Sequence, residues 1–114
     1  NSIMNKISAG KTGYEAISGR YASYFLGYTY RYRYPDKERA KNYFQLTVKY
    51  AEESKSYESG YYQSAMTELA RMARDEKKLR LAKRYYRKVR KYAKKRTKRY
   101  REAKAFLRKY RRLR

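Results

Sequence analysis

The last third of the chain carries the pattern that most limits its fold. From Glu76 to Arg114 there are 21 Lys and Arg residues and two acids, so 19 of the 23 net positive charges fall in 39 residues. Neither Gly nor Pro interrupts this segment. The pattern predicts one long basic helix over 76–114, about 58 Å long at a rise of 1.5 Å per residue. Its apolar residues recur every three or four positions, the period of a helix with one apolar stripe, at Ala82, Tyr85, Tyr86, Val89, Tyr92, Ala93, Tyr100, Ala103, Leu107 and Tyr110.

The composition allows only a thin core. Leu, Ile, Val and Phe together number 15 of 114 residues, below the roughly 20% usual for a chain with its own core. High net charge with few aliphatic residues is typical of disorder. The 17 Tyr residues fall at helical spacings, however, and each has a large apolar ring. We therefore expect an all-α fold, a small helical bundle of about four helices with a tyrosine-rich core.

The chain divides into an arm over residues 1–11 and a single helical domain over 12–114, of which 76–114 is the basic helix. Aromatic and aliphatic residues from 14 to 32 predict a first helix beginning at Thr12. The stretch Tyr28–Tyr34 alternates with period two, but the chain offers no second strand to pair with it. We interpret it as a fraying helix that becomes extended before Pro35.

Three further features divide the rest of the chain. Asp36 is a predicted N-cap for a second helix ending near Lys55, and a polar loop separates that helix from a third one starting near Tyr61. A break at Asp75–Glu76, where these acids can cap the next helix, is favoured over one continuous helix from 61 to 114. The apolar stripe thins at Arg96–Thr97, which is the predicted hinge of the basic helix.

Catalytic and metal chemistry have no candidates in the sequence. Without Cys or His, the chain has no thiolate or imidazole metal ligand and no His-based triad. The ten acids are scattered, and Gly10-Lys11-Thr12 lacks the earlier Gly and the preceding strand of a phosphate-binding loop. We predict no enzyme activity, no catalytic residues, no metal and no cofactor.

Dense like charge indicates a polyanionic partner, because surface helices normally carry acids that pair with their bases. The predicted partner is double-stranded DNA, bound through its backbone without sequence reading, since the basic segment contains no Asn or Gln to read adenine edges. A second contact is predicted at the Tyr/Arg segment 28–34. The predicted contact residues are Lys77, Lys78, Arg80, Lys83, Arg84, Arg87, Lys88, Arg90, Lys91, Lys94, Lys95, Arg96, Lys98, Arg99, Arg101, Lys104, Arg108, Lys109, Arg31 and Arg33.

In its size, its lack of Cys, its richness in Tyr, Arg and Lys, its N-terminal arm and its basic helical segment, the chain resembles the α-helical major capsid proteins of filamentous archaeal DNA viruses of the lipothrixvirus type. The resemblance lies in general character and transfers no individual residue. It implies a helical bundle that coats DNA in a virion. It also implies association with itself or with a paralogous capsid subunit, and an indirect contact with a lipid envelope.

Two other classes of protein stay open at the level of sequence. A cellular chromatin or ribosomal-type protein would have the same charge, with a nucleoid-associated location in the cytoplasm or with RNA as its partner. A protein of anionic membranes or a scaffold would place the tyrosine stripe against lipid or a partner helix. The sequence does not separate DNA from RNA.

Overall fold

Five α-helices make up the computed structural model, which describes residues 13–113 and their side chains from residue 19 onward. The predicted arm over 1–11 lies outside these residues. No strand occurs between 13 and 113, which confirms the all-α class. The helices are α1 (Gly13–Tyr28), extended by a π-helical turn (Thr29–Arg33), α2 (Lys37–Glu53), α3 (Gly60–Asp75), α4 (Leu79–Tyr92) and α5 (Lys98–Lys109).

The predicted fraying at the end of α1 is wrong. The helix widens into a π-helical turn, in which the amide of Tyr34 donates to the carbonyl of Thr29, five residues back, at 2.9 Å. The ring of Tyr30 stacks on Tyr43 with centroids 5.7 Å apart. This ring contact with α2 holds the turn in place, and the chain leaves helical geometry only at Tyr34, the residue before Pro35, where the α region is disfavoured.

The boundaries of α2 and α3 follow local signals. The carboxylate of Asp36 accepts a hydrogen bond from the amide of Arg39 at 3.1 Å, which confirms the predicted cap of α2. The hydroxyl of Ser59 caps α3 by accepting from the amide of Tyr61 at 3.2 Å. Both helices therefore begin within one residue of where the sequence placed them.

The predicted break after α3 is confirmed, but its acids do not cap α4. Lys77 has a φ of 64°, and the amide of Lys78 donates to the carbonyl of Ala73 at 2.8 Å. This left-handed turn ends α3 in the pattern of a Schellman motif. The N-cap position of α4 is Lys78, which makes no capping bond with its side chain. The expectation that Asp75 or Glu76 caps this helix is therefore wrong.

The single basic helix predicted over 76–114 is also wrong, because the chain breaks between Tyr92 and Lys98. Ala93 is extended, with a ψ of 147°, and Thr97 caps α5 through its side chain. Residues 94–98 contain no apolar side chain, so a continuous helix would gain no burial there. Folding back places α5 antiparallel to α4 and brings the ring of Tyr86 to 4.7 Å from that of Phe106. The predicted hinge at Arg96–Thr97 lies inside this break.

The core lies between α3 and the helices around it. α3 contacts each of the other four α-helices, and the described residues span 44 × 28 × 23 Å. The apolar stripe of the basic segment faces inward. Its fully or nearly buried members, together with Phe106, are Ala82, Tyr86, Val89, Ala93, Ala103 and Leu107.

The aromatic residues of α1 are arranged differently. α1 packs on α2 through small residues, since the buried hydroxyl of Ser23 lies 2.8 Å from that of Thr47 and Gly27 lies against the ring of Phe44. This close approach turns the larger rings of α1 outward. One face of α1 and its π-helical turn, which we call the aromatic face, is therefore about half exposed or more and consists of Tyr21, Phe25, Tyr28 and Tyr32.

Candidate nucleic-acid interface

The basic hairpin, which we define as residues 79–113 with α4, α5 and the turn between them, concentrates the charge of the molecule. It contains 18 Lys and Arg residues and a single acid, Glu102. Of the twenty predicted contact residues, all but Arg31, Lys83 and Arg99 are exposed to solvent. The fold therefore presents most of the predicted cations on its surface, where an anion can reach them.

The three predicted cations that are not exposed have partners within the protein. Arg31 places its Nε 3.0 Å from the carboxylate of the buried Glu68. Arg99 donates from Nε to the side-chain oxygen of Gln63 at 2.9 Å. Lys83 donates from Nζ to the backbone carbonyls of Arg111, at 3.2 Å, and Leu113. These side chains join elements of the fold to one another.

Glu102, the one acid of the basic hairpin, points inward. Arg71 of α3 donates two hydrogen bonds to its carboxylate, from Nε at 2.9 Å and from Nη2 at 2.5 Å, and the hydroxyl of Tyr86 donates a third at 2.6 Å. Burial alone would raise the pKa of Glu102, but these hydrogen bonds outweigh burial and lower it. Burial, followed by the bond to Glu102, raises the pKa of Tyr86. The carboxylate is thus neutralised internally and offsets no charge on the surface.

A groove runs between α4 and α5, with a volume of about 410 Å³. Its walls contain six cations and no acid. Leu107, which is largely buried, contributes the one apolar side chain of the lining. The six cations are Lys83, Arg87, Arg90, Lys104, Arg108 and Arg111.

The predicted second contact at 28–34 divides into two parts. Two of its residues make contacts within the protein: Tyr30 stacks on the ring of Tyr43, and Arg31 pairs with the carboxylate of Glu68. Arg33 and Tyr34 are exposed, and the guanidinium of Arg33 lies 5.6 Å from the ring centre of Tyr34. An anion reaching this segment would therefore meet Arg33 before Arg31.

Sequence reasoning missed the groove and one of its members, Arg111. The signal was present, because Lys104, Arg108 and Arg111 repeat at the four- and three-residue spacing of Lys83, Arg87 and Arg90. In a single straight helix, this repeated spacing does not bring the two triplets together. The two triplets share a groove only once the chain folds back.

Comparison with protein-family models, with curated proteins and with solved structures finds no match. Among residues 13–113 no cluster of three or more acids suits a metal ion. No helix in this part of the chain is long and apolar enough to cross a bilayer.

Proposed function

We propose that this protein binds double-stranded DNA through its phosphate backbone, without sequence reading, and packages it as a capsid or nucleocapsid protein. The basic hairpin carries the proposal, because 16 of its 18 cations are exposed while its single acid is bonded inside the fold. Such a surface repels itself and attracts polyanions. When its cations neutralise the phosphates of DNA, the counterions condensed on the DNA are released, and this release favours binding.

The side chains of the hairpin also suit backbone contacts better than base contacts. Within residues 79–113 there is no Asn or Gln, and the single carboxylate is occupied. Lys and Arg on phosphates position a protein on a duplex and carry no sequence information directly. Binding should therefore vary little with sequence, as a coat over a whole genome requires.

Packaging also needs contact between subunits, and the aromatic face supports it. Phe25 and Tyr21 are each 60% exposed on one side of α1, and Tyr28 and Tyr32 continue the same face at 49%. Contiguous exposed apolar surface on a soluble protein marks an interaction site. We propose that a second copy of this chain, or a paralogous capsid subunit, covers this face. In the virion, subunits that are small helical bundles would then coat the DNA side by side. Contact with a lipid envelope would then be indirect.

A second class of function also draws on the aromatic face. A membrane-surface or scaffold protein would set these rings against lipid, with the cations on anionic head groups. The face is mostly tyrosine and the chain contains no Trp, a composition that favours protein contacts over deep lipid insertion. A cellular chromatin or ribosomal-type protein, located on the nucleoid in the cytoplasm, would share the charge without forming a regular coat.

Two measurements test the proposal. Fluorescence anisotropy with two unrelated 30-base-pair duplexes should give equal affinities, and negative-stain microscopy with linear double-stranded DNA should show regular filaments. Amorphous aggregates would favour a general basic protein, and tighter binding to duplex RNA would favour a ribosomal-type role. Flotation with anionic vesicles at physiological salt, in the absence of DNA binding, would overturn the proposal in favour of a membrane function.

A further inference from the structure

The groove between α4 and α5 has a regular internal order. α4 contributes Lys83, Arg87 and Arg90, and the α5 side contributes Lys104, Arg108 and Arg111. Residues four and seven apart lie on one face of a helix. α4 therefore carries three cations in a row along the groove and α5 carries two, with Arg111 in the turn that follows α5.

The antiparallel packing sets these rows in register. Lys83 bonds the backbone carbonyl of Arg111 at 3.2 Å, and the rings of Tyr86 and Phe106 meet at 4.7 Å. Continuing that register pairs Arg87 with Arg108 and Arg90 with Lys104. At a rise of 1.5 Å per residue, these two exposed pairs lie about 5 Å apart along the groove. Lys83 lies beside them, with its Nζ bonded to backbone carbonyls.

The groove has no acid in its lining, and neither has a neighbouring cleft that shares Lys104 and Arg108 with it. A cleft beside Tyr24 includes Glu68, and another beside Tyr57 includes Glu58. Within the groove, burial and then the charge of Arg87 lower the pKa of Lys83. The charges of Lys83 and Arg87 therefore disfavour each other, and an anion placed between them would relieve that repulsion.

We propose that this groove is the binding site of a single phosphodiester strand, which lies lengthwise between α4 and α5 with successive phosphates against successive cation pairs. This inference rests on the proposed function, and it places the main contact between protein and DNA backbone in the groove. With a volume of about 410 Å³, the groove is much smaller than a duplex, so one backbone of a duplex enters it while the bases and the second strand stay outside. The cations that do not line the groove then act at longer range.

Two variants with equal charge test this placement against a diffuse basic surface. The groove variant is Arg87→Gln with Arg108→Gln, and the matched variant is Arg84→Gln with Arg96→Gln, two exposed arginines that do not line the groove. Binding to a 30-base-pair duplex is measured by anisotropy between 50 and 200 mM salt. If each lost phosphate contact removes about 0.9 from the log–log salt slope, the groove variant should lose about 1.8 and the matched variant much less. Equal losses in the two variants would overturn the proposal that the groove is the main contact, while the proposed DNA-binding function would still stand.

Inorganic tripolyphosphate, which has adjacent phosphates and no sugar or base, provides the second probe. Amide NMR titration of the full chain should show its largest shifts at residues lining the groove, and the groove variant should lose them while the matched variant keeps them. Shifts spread evenly over the basic hairpin would count against the groove. Tripolyphosphate binding in the groove without any duplex binding would overturn the proposed function but would support the groove as a phosphate-binding site. Thermal unfolding of both variants, expected to match the wild type, confirms that neither change acts by unfolding the protein.

Discussion

At the scale of single residues, the contacts of Glu102 decide how the basic hairpin is attached. Arg71 reaches it from α3 and Tyr86 reaches it from α4, so one carboxylate joins three helices. Arg71 also lies 3.6 Å from Glu68, which in turn pairs with Arg31. The two carboxylates therefore link α1, α3, α4 and α5 through ion pairs and charged hydrogen bonds, and charged hydrogen bonds are stronger than neutral ones.

The first prediction follows from the lowered pKa of Glu102. Its contribution to the free energy of unfolding is complete above the unfolded pKa of about 4.3 and is lost as pH falls through the lower folded value. Glu102→Gln should therefore cost about 2–3 kcal/mol at pH 7, and the difference from wild type should shrink below pH 4. Urea denaturation at several pH values measures this. Glu53→Gln, at an exposed position of α2, is the control and should cost almost nothing. A pH-independent deficit in Glu102→Gln would mean that the lost hydrogen-bond acceptor, and not the charge, matters there.

A second residue-scale prediction concerns Gly27. A Cβ built at this position would lie 2.7 Å from two carbons of the fully buried Phe44 ring. Gly→Ala in an exposed helix stabilises by up to about 1 kcal/mol, but here the overpacking should dominate and destabilise by about 1–3 kcal/mol. Gly60→Ala, which meets only Arg99 Nη2 at 3.9 Å, should be neutral or slightly stabilising. Thermal unfolding compares the two, and an increase in Tm for Gly27→Ala would contradict the close packing of α1 on α2.

At the scale of elements, the break between α4 and α5 can be tested through its cap. The hydroxyl of Thr97 accepts from the amide of Tyr100 at 3.3 Å. Loss of such a cap costs about 0.5–2 kcal/mol, so Thr97→Ala should lower the free energy of unfolding by that amount. In one continuous basic helix the same change would instead stabilise, because Ala is the better helix former. Denaturant unfolding therefore distinguishes the hairpin from the straight helix by the sign of the change.

Local signals explain which elements the sequence could predict. Asp36 is recognisable as a cap because its partner amide is three residues away, and the inward stripe of α4 follows from helical spacing alone. The fold-back at 93–97 depends on the contact of Tyr86 with Phe106, twenty residues on. The bond between Arg71 and Glu102 likewise spans 31 residues. Spacing within one helix carries no information on such pairs, so the groove they create was not visible in the sequence.

The outward turn of the aromatic face has a similar cause. Periodicity in α1 marks its rings as apolar positions, and Tyr24 does pack against Phe44, with ring centres 5.8 Å apart. The deciding feature is the row of Ser23 and Gly27, both buried against α2. Small residues let two helices approach closely and displace larger side chains to the flanks. A sequence pattern that counts only large apolar residues assigns the wrong face to the core.

At the scale of the whole molecule, a net charge of +23 should dominate DNA binding. If the protein neutralises about 6–10 phosphates, the log–log slope of affinity against salt should be near −5 to −9. Affinity should then fall by about 10³–10⁵ between 50 and 200 mM salt. Anisotropy over that range gives the slope directly. A value shallower than about −2 would mean that the cations of the basic hairpin are not the contact.

The same charge should control self-association through the aromatic face. Copies carrying +23 each repel one another, so at low salt the protein should sediment as a monomer without DNA. At 1 M salt, charges are screened beyond about 3 Å, and the exposed rings should then bring copies together even without DNA. Phe25→Gln should weaken this association by removing an apolar ring that is 60% exposed, whereas Tyr34→Gln, at 61% exposure but off the aromatic face, should leave it unchanged. Sedimentation velocity at both salt concentrations measures the outcome. A wild type that stays monomeric at 1 M salt, or two variants that behave alike, would show that subunits meet elsewhere on the molecule.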